Sequence, residues 1–291
     1  MGVGGTGVSA LARVYLARGD EVSGCDVNAS TTTAELEDAG VSVQVGHDPE
    51  HVLFQDLIVY SGAIKSSAEL DAARAMGVKV LSRAEALAEL IAGSDSIAVG
   101  GSAGKTTVTY MIGHILTEAG LDPTVLVGDG TSSRSGRSRW LVAEVDESDG
   151  SLVLHHPKRA VITNIELDHT DHFKDVEGVR ELFAQFVAGL PADGLAVLCA
   201  DDERAGSLET AARRVTYGFS AHADYRCDDK RPFAIHHQGR ELGRVNLHQP
   251  GRHNVQNATG AAAMALEVGV SFTDVAGALE RFPGAPCTVR K

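Results

Sequence analysis

The chain has 291 residues, 43% hydrophobic and only 5% aromatic, with 26 basic against 39 acidic side chains for a net charge of −13. That length allows two ordinary domains of a water-soluble α/β protein, and the acidic balance argues against nonspecific binding to nucleic acid or to a membrane surface. No apolar run approaches a membrane span, and residues 1–7 show neither the basic start nor the apolar run of a secretory signal.

A cytoplasmic location is therefore expected, in keeping with the four cysteines. Cys25, Cys199, Cys227 and Cys287 are far apart, lack C-x-x-C spacing, and read as reduced thiols.

Taken in order, residues 8–16 read as a helix, 21–26 as a strand ending in an acid, and 33–38 as a short helix. Residues 41–45, 57–60 and 78–81 are strand-like, and an amphipathic helix over 84–91 leads out of this first section. Strand–helix alternation predicts a parallel sheet. The second section opens with the apolar strand 96–99, a glycine loop and a helix from about 108. Strands are predicted over 123–127, 140–145, 159–165 and 194–199, with a long helix at 176–190. A more polar β-like stretch spans 215–247, and helices close the chain at 254–268 and 273–281.

The glycine loop is the most informative stretch. Gly101-Ser102-Ala103-Gly104-Lys105-Thr106-Thr107 lies between a strand and a helix, the setting in which backbone N–H groups point at a phosphate. Lys105 can reach terminal phosphates and Thr106 can hold magnesium. Val99 stands where the full P-loop pattern has its first glycine, so only the shorter Gly-x-x-Gly-Lys-Thr form is present. A glycine turn with a solvated lysine is the plain alternative.

Other clusters fall at strand ends, where α/β sheets place ligands. Glu144, Asp146, Glu147 and Asp149 follow the buried strand 140–145 and offer hard oxygens suited to Mg²⁺. Asp168 and His169 follow the next strand and can place a cation near a γ-phosphate. His253 and Asn257 are four apart, on one helix face, and can read a purine edge; the alternative is a plain helix cap at Asn254. Gly2-x-Gly4-x-x-Gly7 before a helix, with Asp26 ending the next strand, has the spacing of a dinucleotide fingerprint without its own first strand. By itself that pattern would also suit an NAD-dependent dehydrogenase.

Together these segments resemble the Mur ligase family, in its alanine-adding branch. The resemblance is carried by residues 2–9, 22–26, 61–64, 101–107, 144–151, 163–171, 217–219 and 250–257, whose order and spacing agree over nearly the whole chain. It implies an α/β fold with an N-terminal Rossmann-like domain and a central P-loop ATPase-type domain. The implied boundaries are 1–93 for the UDP-sugar-binding domain, 94–283 for the ATP-binding domain, and 284–291 for the start of a linker to a C-terminal domain absent here.

The implied activity is ATP- and Mg²⁺-dependent joining of L-alanine to the carboxylate of UDP-N-acetylmuramate, for peptidoglycan synthesis, with a non-catalytic nucleotide-binding remnant as the alternative. The UDP-sugar would meet Gly4, Gly5, Gly7, Asp26 and Ser61. ATP would meet residues 101–107, His253 and Asn257, and magnesium would meet Thr106, Glu144 and His169. Lys105, Glu144 and His169 would be catalytic. Ala103 stands where the family pattern has a histidine.

Overall fold

The structure is a computed structural model that describes residues 1–128, 133–148, 150–167 and 173–285. The N-terminal section comprises α1 (Thr6–Arg18), β1 (Ser23–Asp26), α2 (Thr31–Asp38), β2 (Ser42–Val45), β3 (Leu57–Tyr60), α3 (Ala68–Ala75), β4 (Lys79–Ser82) and α4 (Arg83–Ala92), with a 3₁₀ turn at Pro49–Val52. Local chemistry sets the helix ends. Ser30 and Thr33 form a capping box on α2, Ser82 and Glu85 another on α4, and the Ser67 hydroxyl accepts from Leu70 N–H at the start of α3. The two Ser82 hydrogen bonds also hold the Glu85 carboxyl below the usual range.

The expected parallel pairing is found: β1 pairs with β2 and β3 with β4, in two parallel ladders. Residues 1–3 lie between them and bond to both. Gly2 and Val3 N–H donate to Cys25 O, the Met1 amine donates to Val59 O, and Ser61 N–H donates to Met1 O.

The second section comprises β5 (Asp95–Gly100), α5 (Lys105–Glu118), β6 (Thr124–Leu126), β7 (Trp140–Glu144), β8 (Arg159–Ile162), α6 (Val176–Ala188), β9 (Leu195–Cys199) and the one-turn α7 (Glu203–Gly206). It continues with β10 (Arg213–Gly218), β11 (Tyr225–Cys227), β12 (Phe233–His237), β13 (Arg240–Val245), α8 (Arg252–Glu267) and α9 (Phe272–Glu280). Among the described residues these strands form one sheet of order β13-β12-β11-β10-β9-β8-β5-β7-β6. β6 to β11 pair in parallel and the β11–β13 edge is antiparallel. The polar 215–247 stretch resolves into this edge.

The parallel strands are near-continuous apolar runs because helices cover them. Ile97, Ala98, Val99, Leu141, Val142, Ala160, Val161, Val197 and Leu198 are all buried, in one core with Met111, Ile112 and Ile115 of α5 and Phe183 and Phe186 of α6. Leu11 and Val14 of α1 and Leu87 and Ile91 of α4 join that same core. Strand β5 lies between β8 and β7, so the chain departs to either side of it. A crevice at such a switch point, beyond the carboxyl ends of the strands, is where α/β sheets bind ligands.

Candidate nucleotide-phosphate site

The loop 101–104 leaves β5 at that switch point and enters α5. Gly104 caps the helix in the left-handed region (φ 84°) and offers no side-chain cap, so the first N–H groups of α5 face outward as an anion site. Two glycines are required by contact as well as by dihedral. A Cβ on Gly101 (φ 138°) would collide with Thr163 Oγ1, and one on Gly104 would lie 2.9 Å from Asn257 Oδ1. Residues after β8 hold the loop from behind. The Thr163 hydroxyl donates to Ala103 O (2.7 Å), Asn164 Oδ1 accepts from Ala103 N–H (2.8 Å), and Ser102 N–H donates to Asn164 O (3.1 Å). The loop is therefore held in one conformation, and Ala103 contributes its backbone to that bracing.

Two acids from the end of β7 meet the first turn of α5. The Thr106 hydroxyl lies 3.1 and 3.0 Å from the two Glu144 carboxylate oxygens, and Gly128 N–H donates to Glu144 Oε2 (2.9 Å). Two cis ligands of an octahedral Mg²⁺ at about 2.0–2.1 Å stand about 2.9 Å apart. The Thr106–Glu144 pair already has that spacing and the hard-oxygen chemistry, so these residues fit the ion. Thr107 sits half-buried on the same helical turn.

Lys105 is held by acids. Its ammonium donates to Glu147 Oε2 (2.8 Å), with Asp146 Oδ1 at 3.8 Å. Glu147 is buried, and its Oε1 has no hydrogen-bond partner among the described residues. Burial pushes the Glu147 carboxyl up, against the pull of Lys105. Asp149, Asp168 and His169 lie outside the described residues.

A second wall comes from β10 and α8. Asn257 is buried with its amide against Gly104, and His253 is exposed one turn earlier on α8. The α8 N-cap is Gly251, and Asn254 instead donates its amide to Pro250 O. Arg252 stacks over Phe219 at 3.8 Å, while Asp201 accepts from Phe219 N–H, Ser220 N–H and the Gln256 amide. This ties an aromatic ring and a cation to the mouth of α8.

In the N-terminal section, Asp26 turns inward onto the glycine loop. Its Oδ2 accepts from Gly4 N–H (2.8 Å) and its Oδ1 from Asn28 N–H. Gly5 is the N-cap residue of α1, Ser61 packs against Gly2, and a Cβ on Gly7 would collide with Cδ of Arg83. The Arg83 side chain thus lies over the start of α1.

Comparison with known proteins separates a nucleotide-binding ligase from an unrelated P-loop protein. Residues 99–265 match the Mur ligase middle domain, and residues 1–95 match the Mur ligase family catalytic domain. The chain belongs to the Mur ligase family. It is 41% identical over 299 aligned residues to UDP-N-acetylmuramate–L-alanine ligase of Syntrophobacter fumaroxidans, covering 98% of this chain and 64% of that protein. It is 40% identical to the enzyme of that name from Aquifex aeolicus, covering 98% of this chain and 66% of that one. The chain thus spans just under two thirds of the length of these curated relatives.

Among solved structures, a UDP-N-acetylmuramate:L-alanyl-γ-D-glutamyl-meso-diaminopimelate ligase from Neisseria meningitides superposes with a TM-score of 0.85 at 27% identity, covering 97% of this chain and 96% of that one. UDP-N-acetylmuramate-alanine ligase from Thermotoga maritima does so with a TM-score of 0.82 at 27% identity, covering 98% of this chain and 68% of that one.

Within this Mur ligase, the structure brings Lys105, Thr106, Glu144 and Asn257 around one loop, and Gly4, Gly5, Gly7 and Asp26 around another, with Ser61 packed beside Gly2. Sequence reasoning missed four participants: Glu147 as the partner of Lys105, Asn164 as the loop's brace, Phe219 under Arg252, and Arg83 over Gly7. Glu147 lay within the acidic run after the buried strand 140–145, but nothing local marked it out from Asp146 or Asp149. The others depend on loops that meet only in the fold.

Proposed function

We propose that the chain carries out the ATP- and sugar-nucleotide-binding work of a UDP-N-acetylmuramate–L-alanine ligase in the cytoplasm. Residues 1–93 would bind the UDP-sugar and 94–283 would bind ATP. The observation that carries this reading is the braced 101–104 loop, with Lys105 and the Thr106–Glu144 pair at the carboxyl ends of β5 and β7. The names of the 40–41% identical relatives support the substrate assignment.

The muramate carboxylate is a poor acyl donor. Attack of its oxygen on the γ-phosphorus expels ADP and gives an acyl phosphate. The amine of L-alanine then adds to the carbonyl carbon, and collapse of the tetrahedral adduct releases inorganic phosphate, with the amine proton passing to solvent or base. The protein's task is positioning and charge neutralisation. The α5 N–H groups and Lys105 hold the phosphate oxygens; Lys105 must leave Glu147 to do so, and the raised affinity of Glu147 for a proton lowers the cost of that exchange. Thr106 and Glu144 would hold Mg²⁺, which neutralises charge on the phosphates when bound, with His169 assigned beside them. Asn257 and His253 would meet the nucleotide base, and Gly4, Gly5, Gly7 and Ser61 the UDP-sugar, with Arg83 as a nearby cation and Asp26 shaping the loop.

The half-reaction tests this reading without the amine. With Mg-ATP and UDP-N-acetylmuramate, added hydroxylamine should trap the acyl phosphate as a hydroxamate, and omitting the sugar nucleotide should abolish it. ATP hydrolysis that ignores the sugar nucleotide, with no hydroxamate formed, would overturn it.

A further inference from the structure

A second chemical cluster lies far along the chain from the phosphate loop. Four separate segments supply it: Cys25 from β1, His47 from the turn after β2, His51 from the 3₁₀ turn, and Glu69 from the first turn of α3. Cys25 Sγ, a ring nitrogen of His51 and a Glu69 carboxylate oxygen all lie within 4.8 Å of one another. Around Glu69 Oε1, Cys25 Sγ stands at 3.3 Å and His51 Nδ1 at 3.0 Å. His47 Nδ1 is 3.5 Å from Cys25 Sγ and 2.8 Å from Glu69 Oε2.

We propose that Cys25, His51 and Glu69 form a binding site for a borderline-soft divalent cation, Zn²⁺ in the first instance, with His47 orienting the carboxylate. Three observations carry it. First, spacing: ligands on a tetrahedral zinc, at about 2.3 Å for sulfur and 2.0–2.1 Å for nitrogen or oxygen, stand about 3.3–3.6 Å apart; the Glu69 oxygen already has Cys25 at 3.3 Å and His51 at 3.0 Å, and the third pair lies within 4.8 Å. Second, burial: Glu69 is 1% exposed, and among the described residues its Oε2 has no aligned hydrogen-bond donor although the His47 ring nitrogen is beside it. A carboxylate taken out of water without full pairing is costly, and a cation removes that cost. Third, access: Cys25, His51 and Glu69 line a cleft of about 650 Å³ between β1 and β3, so an ion has a way in.

The donor set separates this site from the phosphate site. Sulfur and imidazole select Zn²⁺-like ions, whereas Thr106 and Glu144 offer oxygens only. The ion would fasten β1, the 3₁₀ turn and α3 to one another. Other groups face the cluster. Asp48 N–H donates to Glu69 Oε1 (3.2 Å), and the Met1 amine feels both Cys25 and Glu69. Neither blocks the three ligand atoms from one another.

Cobalt is the probe. The untagged full chain, freed of metal by chelator and kept reduced without added thiols, is titrated with Co²⁺ alone. One equivalent should give a near-ultraviolet thiolate-to-cobalt charge-transfer band and the visible bands of four-coordinate cobalt, both abolished by one equivalent of Zn²⁺. Cobalt held by Thr106 and Glu144 has no sulfur ligand and gives no such band. Cys25→Ser should remove the charge-transfer band, His51→Gln should weaken Co²⁺ binding by at least about tenfold, and Cys199→Ser should change nothing. Circular dichroism checks that each variant folds; should Cys25→Ser fail, His51→Gln and Glu69→Gln carry the test. Absence of the band in the wild-type chain, its persistence in Cys25→Ser, or its loss in Cys199→Ser or Cys287→Ser instead would overturn the assignment.

Discussion

Replacing Lys105 by methionine probes the site through stability, because it removes one partner of a buried ion pair. The Glu147 side chain is 2% exposed and that of Lys105 12%, with nitrogen and oxygen 2.8 Å apart. Asp146 is farther away and nearly half exposed, so it screens little. Removing one member of a buried pair costs about 3–5 kcal/mol. The partial exposure of Lys105 and the option of protonating Glu147 place the variant near the lower end, at about 3 kcal/mol at pH 8.

The penalty has a defined pH dependence. Burial already raises the Glu147 carboxyl above its unfolded value of 4.5, and losing Lys105 raises it further. An acid whose folded pKa is raised holds its proton more tightly when folded, so its contribution is full below the unfolded value and is lost as pH rises through the folded one. The gap between wild type and Lys105→Met should therefore shrink toward pH 5 and widen toward pH 8. For a unit of this size, about 3 kcal/mol corresponds to about 6–12 °C in melting temperature. Trp140, the single tryptophan, sits on β7 one strand from the loop and reports the melt. Adding Glu147→Gln should restore most of the loss. Equal melting of wild type and Lys105→Met at pH 8, or a larger gap at pH 5, would refute the reasoning.

Gly101→Ala should cost about 2 kcal/mol and abolish ATP binding, since the new Cβ meets Thr163 Oγ1 in a backbone region that side chains avoid; urea unfolding and calorimetry check both. Arg83→Ala should weaken UDP-sugar affinity about tenfold with little change in ATP affinity, because Arg83 lies over Gly7 and away from α5; titration with each ligand separates the two. Burial pushes the thiols of Cys25 and Cys227 up to about 12 and that of Cys199 to about 11. At pH 8 their thiolate fractions are about one in a thousand or less, so in a Cys287→Ser background iodoacetamide should label them only after unfolding; rapid labelling of the native chain would contradict this.

Much of the central section was legible because its strands are continuous apolar runs. Residues 96–99, 140–145 and 194–199 leave little alternative to buried parallel strands, and a glycine loop between strand and helix fixes where a phosphate can sit. In the N-terminal section the parallel pairing was legible from the strand–helix alternation, but how β1 and β3 are linked was not, because the backbone bonds through residues 1–3 leave no local pattern. Helix α3 escaped because AELDAARA is short and its cap, Ser67, lies in a serine-lysine stretch that reads as loop.

Side-chain partnerships were less legible still. Asp26 is marked by its spacing from the Gly2–Gly7 pattern, but its bond to Gly4 N–H forms only when β1 and the glycine loop meet. His47, His51 and Glu69 carry no motif, since they come from a loop, a 3₁₀ turn and a helix that meet only on folding. Residues far apart in sequence become a site through contacts that no local period encodes.

The most direct test of the nucleotide site is calorimetric titration of ATP into the folded chain with and without magnesium, alongside Thr106→Val, which keeps shape and removes the hydroxyl. ATP affinity in the wild type is expected to rise at least about tenfold on adding magnesium, and Thr106→Val is expected to lose most of that gain while melting within a degree or two of wild type. Magnesium-independent ATP binding, or a Thr106→Val variant with the full magnesium gain, would show that the turn before α5 and Glu144 do not grip a metal-bound triphosphate.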